Sequence, residues 1–504
     1  MQTQEAVQKF LLPKQSVKKI EIIQFLLKNQ QFYNTNYLAT RFEVSTTNFL
    51  RYSREIKEDI LAVNSNLELV NQKGLIRLYC SNEDFTYQFH LLFSHYCQQA
   101  TNYRIGLALL NREVTSVLKL SQATSYSPSY IYSRMKDINA FLQLYGVGIR
   151  FSNDGEKQML GTEFQIIYCI LDVHWSIFSS TKLPFNATQE EKESLLNKLV
   201  KKDVLQSLNG GLLHKLYDLL LLCTKYYPYT SFQSIREEIE HHSTTKIFQD
   251  PGIDILKACA DLSQEQRIII NVLSRLAITK VSSLEETQHQ YEILRKGKFT
   301  SFEFSEKLLT EFCRKFTVFL PEDRRNMHIL NLLRNKLYNE YLCETQPSTP
   351  MPSYSLYQDQ KNFNQIKDDI QQFYLDFRVA HQELLPKLKG QENIVWIVEA
   401  LFHIYVRYKA VKPIIVGVNY TKDYYVSEDI IAQIEKFFSP QQIHLQKNHL
   451  EDCDIVITDA PVVDLPQHIK RIYLLGDAIN RKDWEQLFAK IGTFVFEHHV
   501  YSFE

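Results

Sequence analysis

Glycine is scarce. The chain of 504 residues holds 14 glycines, far below the ~7% usual in globular proteins, which argues against glycine-rich phosphate loops and many-turned all-β folds. No apolar run reaches the ~18 residues a membrane-spanning helix needs. The opening MQTQEAVQKFLLPKQ lacks the long apolar run and small-residue cleavage site of a secretory leader, so a cytoplasmic protein without membrane contact is expected. The 8 cysteines stand at 80, 97, 169, 223, 259, 313, 343 and 453, with none of the short paired spacings of zinc knuckles or redox pairs. They are expected to be buried reduced thiols. Also missing are a nucleophile with a placed base, a phosphate loop, and paired carboxylates in a defined strand context, so no enzyme is expected. His241-His242 is an adjacent pair that cannot easily converge on one ion, and neither metal nor cofactor is predicted.

What is present is an ordinary globular composition, 44% hydrophobic and 23% charged with a net charge of −1, on a chain long enough for roughly three to five domains. The charge is uneven. Residues 1–160 carry 18 Lys and Arg against 13 Asp and Glu, and the remainder carries 39 against 45. A basic front on an acidic body suits a nucleic-acid-binding segment joined to a regulatory one.

The stretch Asn34 to Ile60 has the grammar of a helix-turn-helix. Asn34 or Thr35 can cap a short helix to Phe42, with Leu38, Ala39 and Phe42 at helical spacing. Glu43-Val44 makes the break. Ser45 caps the next helix, whose buried face is Phe49, Ser53 or Tyr52, Ile56 and Ile60. Its opposite face carries Thr46, Thr47, Asn48, Arg51 and Arg54. These suit groove reading, since Asn pairs two-fold with adenine, Arg with guanine or phosphate, and Thr offers a hydroxyl and a methyl. Leu67–Val70 and Leu75–Tyr79 around Asn71-Gln-Lys-Gly74 read as a hairpin wing. Residues 16–29 form a preceding amphipathic helix with Val17, Ile20, Ile23 and Leu27 on one side. An ordinary helical hairpin with a solvated face is the alternative reading.

The theme then recurs. Val114 to Ala123 is a short helix, Thr124-Ser-Tyr126 a turn, and Ser127-Pro128 a cap with proline at the first helical position. Ser45 is followed by Phe49 and Ile56, and Ser127 by Ile131 and Ile138, so offsets of four and eleven match in copies 82 residues apart. Gly146 stops the second helix, and Val147–Phe151 with Gln158–Leu160 make a second wing. Its candidate readers are Ser127, Ser129, Tyr130, Ser133, Arg134 and Lys136. The alternative is a structural helix with internally packed tyrosines.

From Thr162 to about Ala410 helical runs fill 163–178, 194–222, 262–278, 304–320, 327–342, 362–385 and 392–410, with a proline-rich loop at 346–353. His214-Lys-Leu-Tyr-Asp-Leu-Leu220 and His328-Ile-Leu-Asn-Leu-Leu333 lie 114 residues apart and suggest a duplicated helical bundle. At Pro413 the period changes. Strands at 414–418, 442–446, 454–458 and 471–475 alternate with helices at 426–438 and 481–491, the pattern of a small α/β domain with a mainly parallel sheet.

In this order the motifs, above all VSTTNFLRYSREI (44–56), YSPSYIYSRMKDINAFL (126–142) and the tail VKPIIVGV, CDIVITDAP and RIYLLGD, make the chain resemble the Mga/AtxA family of bacterial transcriptional regulators. The resemblance implies a multidomain, mainly α protein. Winged helix-turn-helix units occupy 1–80 and 81–161, phosphotransferase-regulation-like helical domains 162–290 and 291–410, and an enzyme IIB-like α/β domain 411–504. It further implies a regulator of double-stranded promoter DNA that dimerises partly through its tail and is tuned by histidine phosphorylation from phosphocarrier proteins of the sugar phosphotransferase system. The phosphorylatable cysteine of a true enzyme IIB domain, in the loop after the first strand, has no counterpart in Gly417-Val-Asn-Tyr420. Cys453 does not match that position. The fold is therefore expected without the chemistry, and Gly417 as a turn residue.

A neutral imidazole is nucleophilic near pH 7, and His214, His328 and His381 are the phosphorylation candidates, the first two for their matching places and the third for its position beside Glu383. A hydrogen-bonded helical histidine is the plainer reading of each. Rival function classes are a helical scaffold with an α/β ligand-binding or enzymatic tail, resting on Asp452, Asp454 and Asp459 near a strand end, and an RNA- or protein-binding module using the 29 tyrosines.

Overall fold

The computed structural model describes residues 3–29, 31–80, 84–110, 114–178, 188–226, 253–258, 261–277, 284–342, 361–385, 394–409, 413–420, 424–440, 442–447, 450–460, 469, 471–475 and 481–501. The chain forms two compact units, one of residues 1–309, 321–351 and 378–397, the other of residues 310–320, 352–377 and 398–504. Among the described residues no helix is long and apolar enough to cross a membrane. The pair His241-His242 and the proline-rich stretch 346–353 lie outside the described residues.

The first unit opens with a helical segment, α1 (Thr3–Ala6) continued by a π-helical turn (Val7–Leu11). Then come α2 (Lys14–Asn29), β1 (Tyr33–Asn34), α3 (Thr35–Arg41), α4 (Thr46–Ala62), β2 (Leu67–Gln72) and β3 (Leu75–Cys80). The caps act as expected. The side chain of Asn34 accepts from the amide of Asn36, and the Ser45 hydroxyl from that of Asn48. Glu43 turns the chain between the helices with φ +54°. Ile20 and Ile23 of α2, Leu38 of α3, and Phe49, Ile56 and Ile60 of α4 are buried at 3% exposure or less and form one core. The wing is tighter than a four-residue turn. Gln72 pairs directly with Leu75, and Lys73 and Gly74, at φ +50° and +82°, make the two-residue turn that matches strand twist. The third strand was not foreseen: β1 pairs with β3, and the Thr35 hydroxyl donates to the Gly74 carbonyl at 2.8 Å.

The theme repeats in α5 (Phe85–Gln99), α6 (Thr101–Leu110), α7 (Val117–Thr124), α8 (Pro128–Leu142), β4 (Gly148–Phe151) and β5 (Lys157–Leu160). Ser127 caps α8, accepting from the Tyr130 amide, with proline in its first turn. Gly146 follows at φ +68°, where a side chain would be strained. Asn139 of α8 holds both backbone groups of Ile149, at 2.8 and 2.9 Å, and so fixes the wing to the helix. The N-terminal segment packs on this second helix-turn-helix. Val7 and Leu11 are buried, and Asn102 donates to the Phe10 carbonyl at 3.0 Å.

Helix α9 (Glu163–Phe178) leads into the helical body. The expected run 194–222 is three helices, α10 (Gln189–Leu199), α11 (Lys202–Ser207) and α12 (Gly210–Leu221). The breaks have local causes: Val200 bridges to Leu256, and Asn209 caps α12 by accepting from the Leu212 amide. There follow α13 (Gln264–Ala277), α14 (Leu284–Lys296), α15 (Thr300–Lys315), α16 (Glu322–Tyr341), α17 (Lys361–Ala380) and α18 (Ile394–Tyr408).

In the second unit Phe312, Phe316, Phe373 and Tyr405 form an aromatic cluster. The tail holds β6 (Ile414–Asn419), α19 (Tyr424–Phe437), β7 (Ile443–Gln446), β8 (Ile455–Thr458), β9 (Arg471–Leu474) and α20 (Arg481–Tyr501). Its sheet is wholly parallel in the order β7-β6-β8-β9. One expectation is corrected here. Gly417 is no turn residue but sits inside β6, paired with Gln446 and Val456. A Cβ there would meet Cys453 Sγ and Leu450 Cδ2, each at 2.7 Å, so glycine serves close packing.

Candidate nucleic-acid interface

Two helices, α4 and α8, carry equivalent faces. On α4 the inward side is Phe49, Ser53, Ile56 and Ile60, all buried, which leaves Thr46, Thr47, Asn48, Arg51 and Arg54 exposed on the outer side. Thr46 donates to Asn36 Oδ1 at 3.2 Å, joining the helix start to α3. Arg51 keeps 52% of its side chain exposed and lies 3.7 Å from Glu55, a contact weak enough to exchange for a phosphate.

Behind α4 stands a buried polar cluster. Lys19 of α2 pairs with Asp59 at 2.7 Å, Asp59 also accepts from the Tyr96 hydroxyl of α5 at 2.9 Å, and Lys19 stacks 5.0 Å from the Tyr96 ring. Burial, and then Asp59 beside it, push the Tyr96 hydroxyl far up, so it remains a donor. The cluster ties α4 to α2 and α5. Sequence reading missed it, since a lysine on an otherwise apolar helix face gives no hint of its partner.

On α8 Ser127, Ser129, Ser133 and Lys136 are exposed. Tyr130 and Arg134 are half-buried and occupied with each other: Arg134 donates to the Tyr130 hydroxyl at 2.9 Å and lies 4.7 Å from its ring. Tyr126 packs 5.3 Å away. These two shape the surface from which the others project. Two residues join the outer surface that sequence reading left out. Tyr132 is 49% exposed and packs against Phe151 of the wing. Lys73 is exposed at the tip of the first wing; its only signal was the turn itself.

Residues 85–173 match the family model described as the Mga helix-turn-helix domain. The chain carries an Mga-type helix-turn-helix domain. No curated protein matches the chain. The Mga domain begins in α5, contains α8 and its wing, and takes in most of α9, beyond the expected boundary at 161. DNA binding in transcription regulation follows from it.

The three histidines sit in different surroundings. His214, on α12, is half-buried; burial, and then the Lys192 charge, lower its pKa, so the ring is neutral near pH 7. His328, on α16, is 4% exposed. His381 lies just past α17, with Nδ1 3.7 Å from Glu383. The matching places of His214 and His328 in sequence thus do not give matching exposure. Among the cysteines, 80, 97, 169, 223 and 453 are buried free thiols and Cys313 is partly buried; positions 259 and 343 lie outside the described residues.

Proposed function

We propose that this chain is a transcriptional regulator that reads double-stranded promoter DNA with both α4 and α8, and whose occupancy of DNA is tuned by histidine phosphorylation from phosphocarrier proteins of the sugar phosphotransferase system. The observation that carries the reading is the Mga domain at 85–173, preceded by a unit that repeats its cap, helix and wing. Exposed Thr, Asn, Arg and Ser on both outer faces suit base edges and phosphates.

His214 is the best placed acceptor of the three. Its neutral ring is nucleophilic, and Lys192, whose charge acts on it, would pair with the added dianion. His328 is reached only if α16 moves. The tail serves self-association and has no catalytic role, for no cysteine follows β6 in Tyr420-Thr-Lys-Asp423. Titration of the full chain with duplex DNA at several salt concentrations tests the first part. Incubation with the general phosphocarriers, followed by mass spectrometry under histidine-preserving conditions, tests the second. Label at His214 is the expected result, and absence of label on all three histidines would leave them structural.

A further inference from the structure

The first helix-turn-helix is held against the second at both of its ends. Only Leu12 and Pro13 stand between the π-helical turn that ends at Leu11 and the start of α2. That turn packs on α6 and α8 of the Mga domain, with Val7 fully buried. At the other end four residues separate β3 from α5, and so few reach at most about 14 Å. Neither connection is long enough to be a free tether.

Helix α5, the first of the Mga domain, also grips the first helix-turn-helix through its side chains. Gln88, 3% exposed, accepts on Oε1 from the Ser65 hydroxyl and the Asn66 amide, both at 2.8 Å, and so pins the turn between α4 and the wing. Further along, Tyr96, also 3% exposed, donates to Asp59 of α4, with which Lys19 of α2 is paired. Ser94 of the same helix donates to the Ile177 carbonyl of α9. Turning one helix-turn-helix against the other would leave the buried Gln88 and Tyr96 unpaired, which costs more than the net worth of the bonds themselves.

We propose that the two helix-turn-helix motifs form one rigid reading head, so that the chain recognises two DNA segments, one for α4 and one for α8, at a single spacing and helical phase. Gln88 and Tyr96 are positioning residues: being buried they touch no DNA, and they act through the distance and angle between α4 and α8. This rests on the proposed reading of duplex DNA by both helices. Each added base pair moves the second segment by about 3.4 Å and turns it by about 35° around the duplex. Where geometry forbids simultaneous engagement, the gain from linking two contacts is lost.

The test is selection by the full chain from a pool of randomised duplexes of about 40 base pairs. Affinity is then measured on the enriched duplex with five or ten pairs inserted between its two segments. Asn48→Ala and Ser129→Ala assign the segments, each relaxing selection at its own. One spacing is expected, and either insertion should weaken binding about a hundredfold; a flexible joint would accept the ten-pair insertion, which restores the phase. Tyr96→Phe combined with Gln88→Met, which keep the shape of both side chains, should cut that penalty about tenfold and leave affinity for a duplex with one segment unchanged. Two segments enriched at many spacings, or a ten-pair insertion bound as tightly as the parent duplex, overturns the rigid head. An undiminished penalty in the double variant overturns the role of Gln88 and Tyr96. Enrichment of a single segment, or of none, instead overturns the reading of DNA by both helices.

Discussion

A single hydrogen atom decides how β6 can pack. At Gly417 an added Cβ would stand 2.7 Å from both Cys453 Sγ and Leu450 Cδ2. The thiol is fully buried and cannot swing into solvent, so Gly417→Ala should destabilise the tail by about 1–3 kcal/mol, as overpacking does. Adding Cys453→Ala should recover part of that loss, because the two sites share one contact; additive losses in denaturant unfolding would sink the account. His214 gives a second residue-scale expectation. Its folded pKa lies below the ordinary 6.5, so between that value and 6.5 the unfolded chain binds more protons. The contribution is present above pH 6.5 and is lost as pH falls through the folded pKa. His214→Gln should therefore flatten the decline in stability on going from pH 7 to pH 5.5, measured by thermal unfolding; equal slopes in both proteins would exclude the residue as its source.

Helices α4 and α8 were legible because their signals are local. Ser45 and Ser127 each precede apolar positions at the same offsets, and a cap needs only its own third amide. The N-terminal segment was not legible: nothing in VQKFLL says that Val7 and Leu11 are buried against the second helix-turn-helix. The breaks at Val200 and Asn209 were missed because an apolar run at helical period continues across them, while a bridge to Leu256 is a tertiary fact. Gly417 was misread for the same reason, since its neighbour Cys453 is distant in sequence. At the candidate site the outer faces were readable from periodicity, yet the pairing of Arg134 with Tyr130 was not. That pairing separates two arginines the sequence treats alike. Arg51→Ala should weaken all DNA sequences together and lower the salt slope by about one unit, as loss of a phosphate contact does. Arg134→Ala should act chiefly by freeing Tyr130. Salt-dependent titrations of both variants distinguish them, and an unchanged slope for Arg51→Ala would remove that residue from the phosphate contacts.

At the scale of the whole molecule the question is whether one chain or two reads a promoter. Two-fold regulators bind symmetric sites with one half-site for each subunit, and the tail has surface suited to a second copy. Tyr425 is 77% exposed and Phe437 69%. Among the described residues strand β9 is an edge of the parallel sheet, with Ile472 49% and Leu474 63% exposed, and apolar edges of this kind invite association. A chain ending near residue 410 keeps both helix-turn-helix units and loses all of these side chains. In sedimentation across a range of concentrations the full chain should dimerise and the shortened one remain a monomer. Duplex binding by the shortened chain should persist on a single half-site but lose the gain from linking two, a factor of about a hundred or more where the half-sites are suitably spaced. A shortened chain that dimerised as tightly as the full one would take the tail out of assembly, and one that failed to bind a half-site at all would place part of the DNA-reading function beyond α4 and α8.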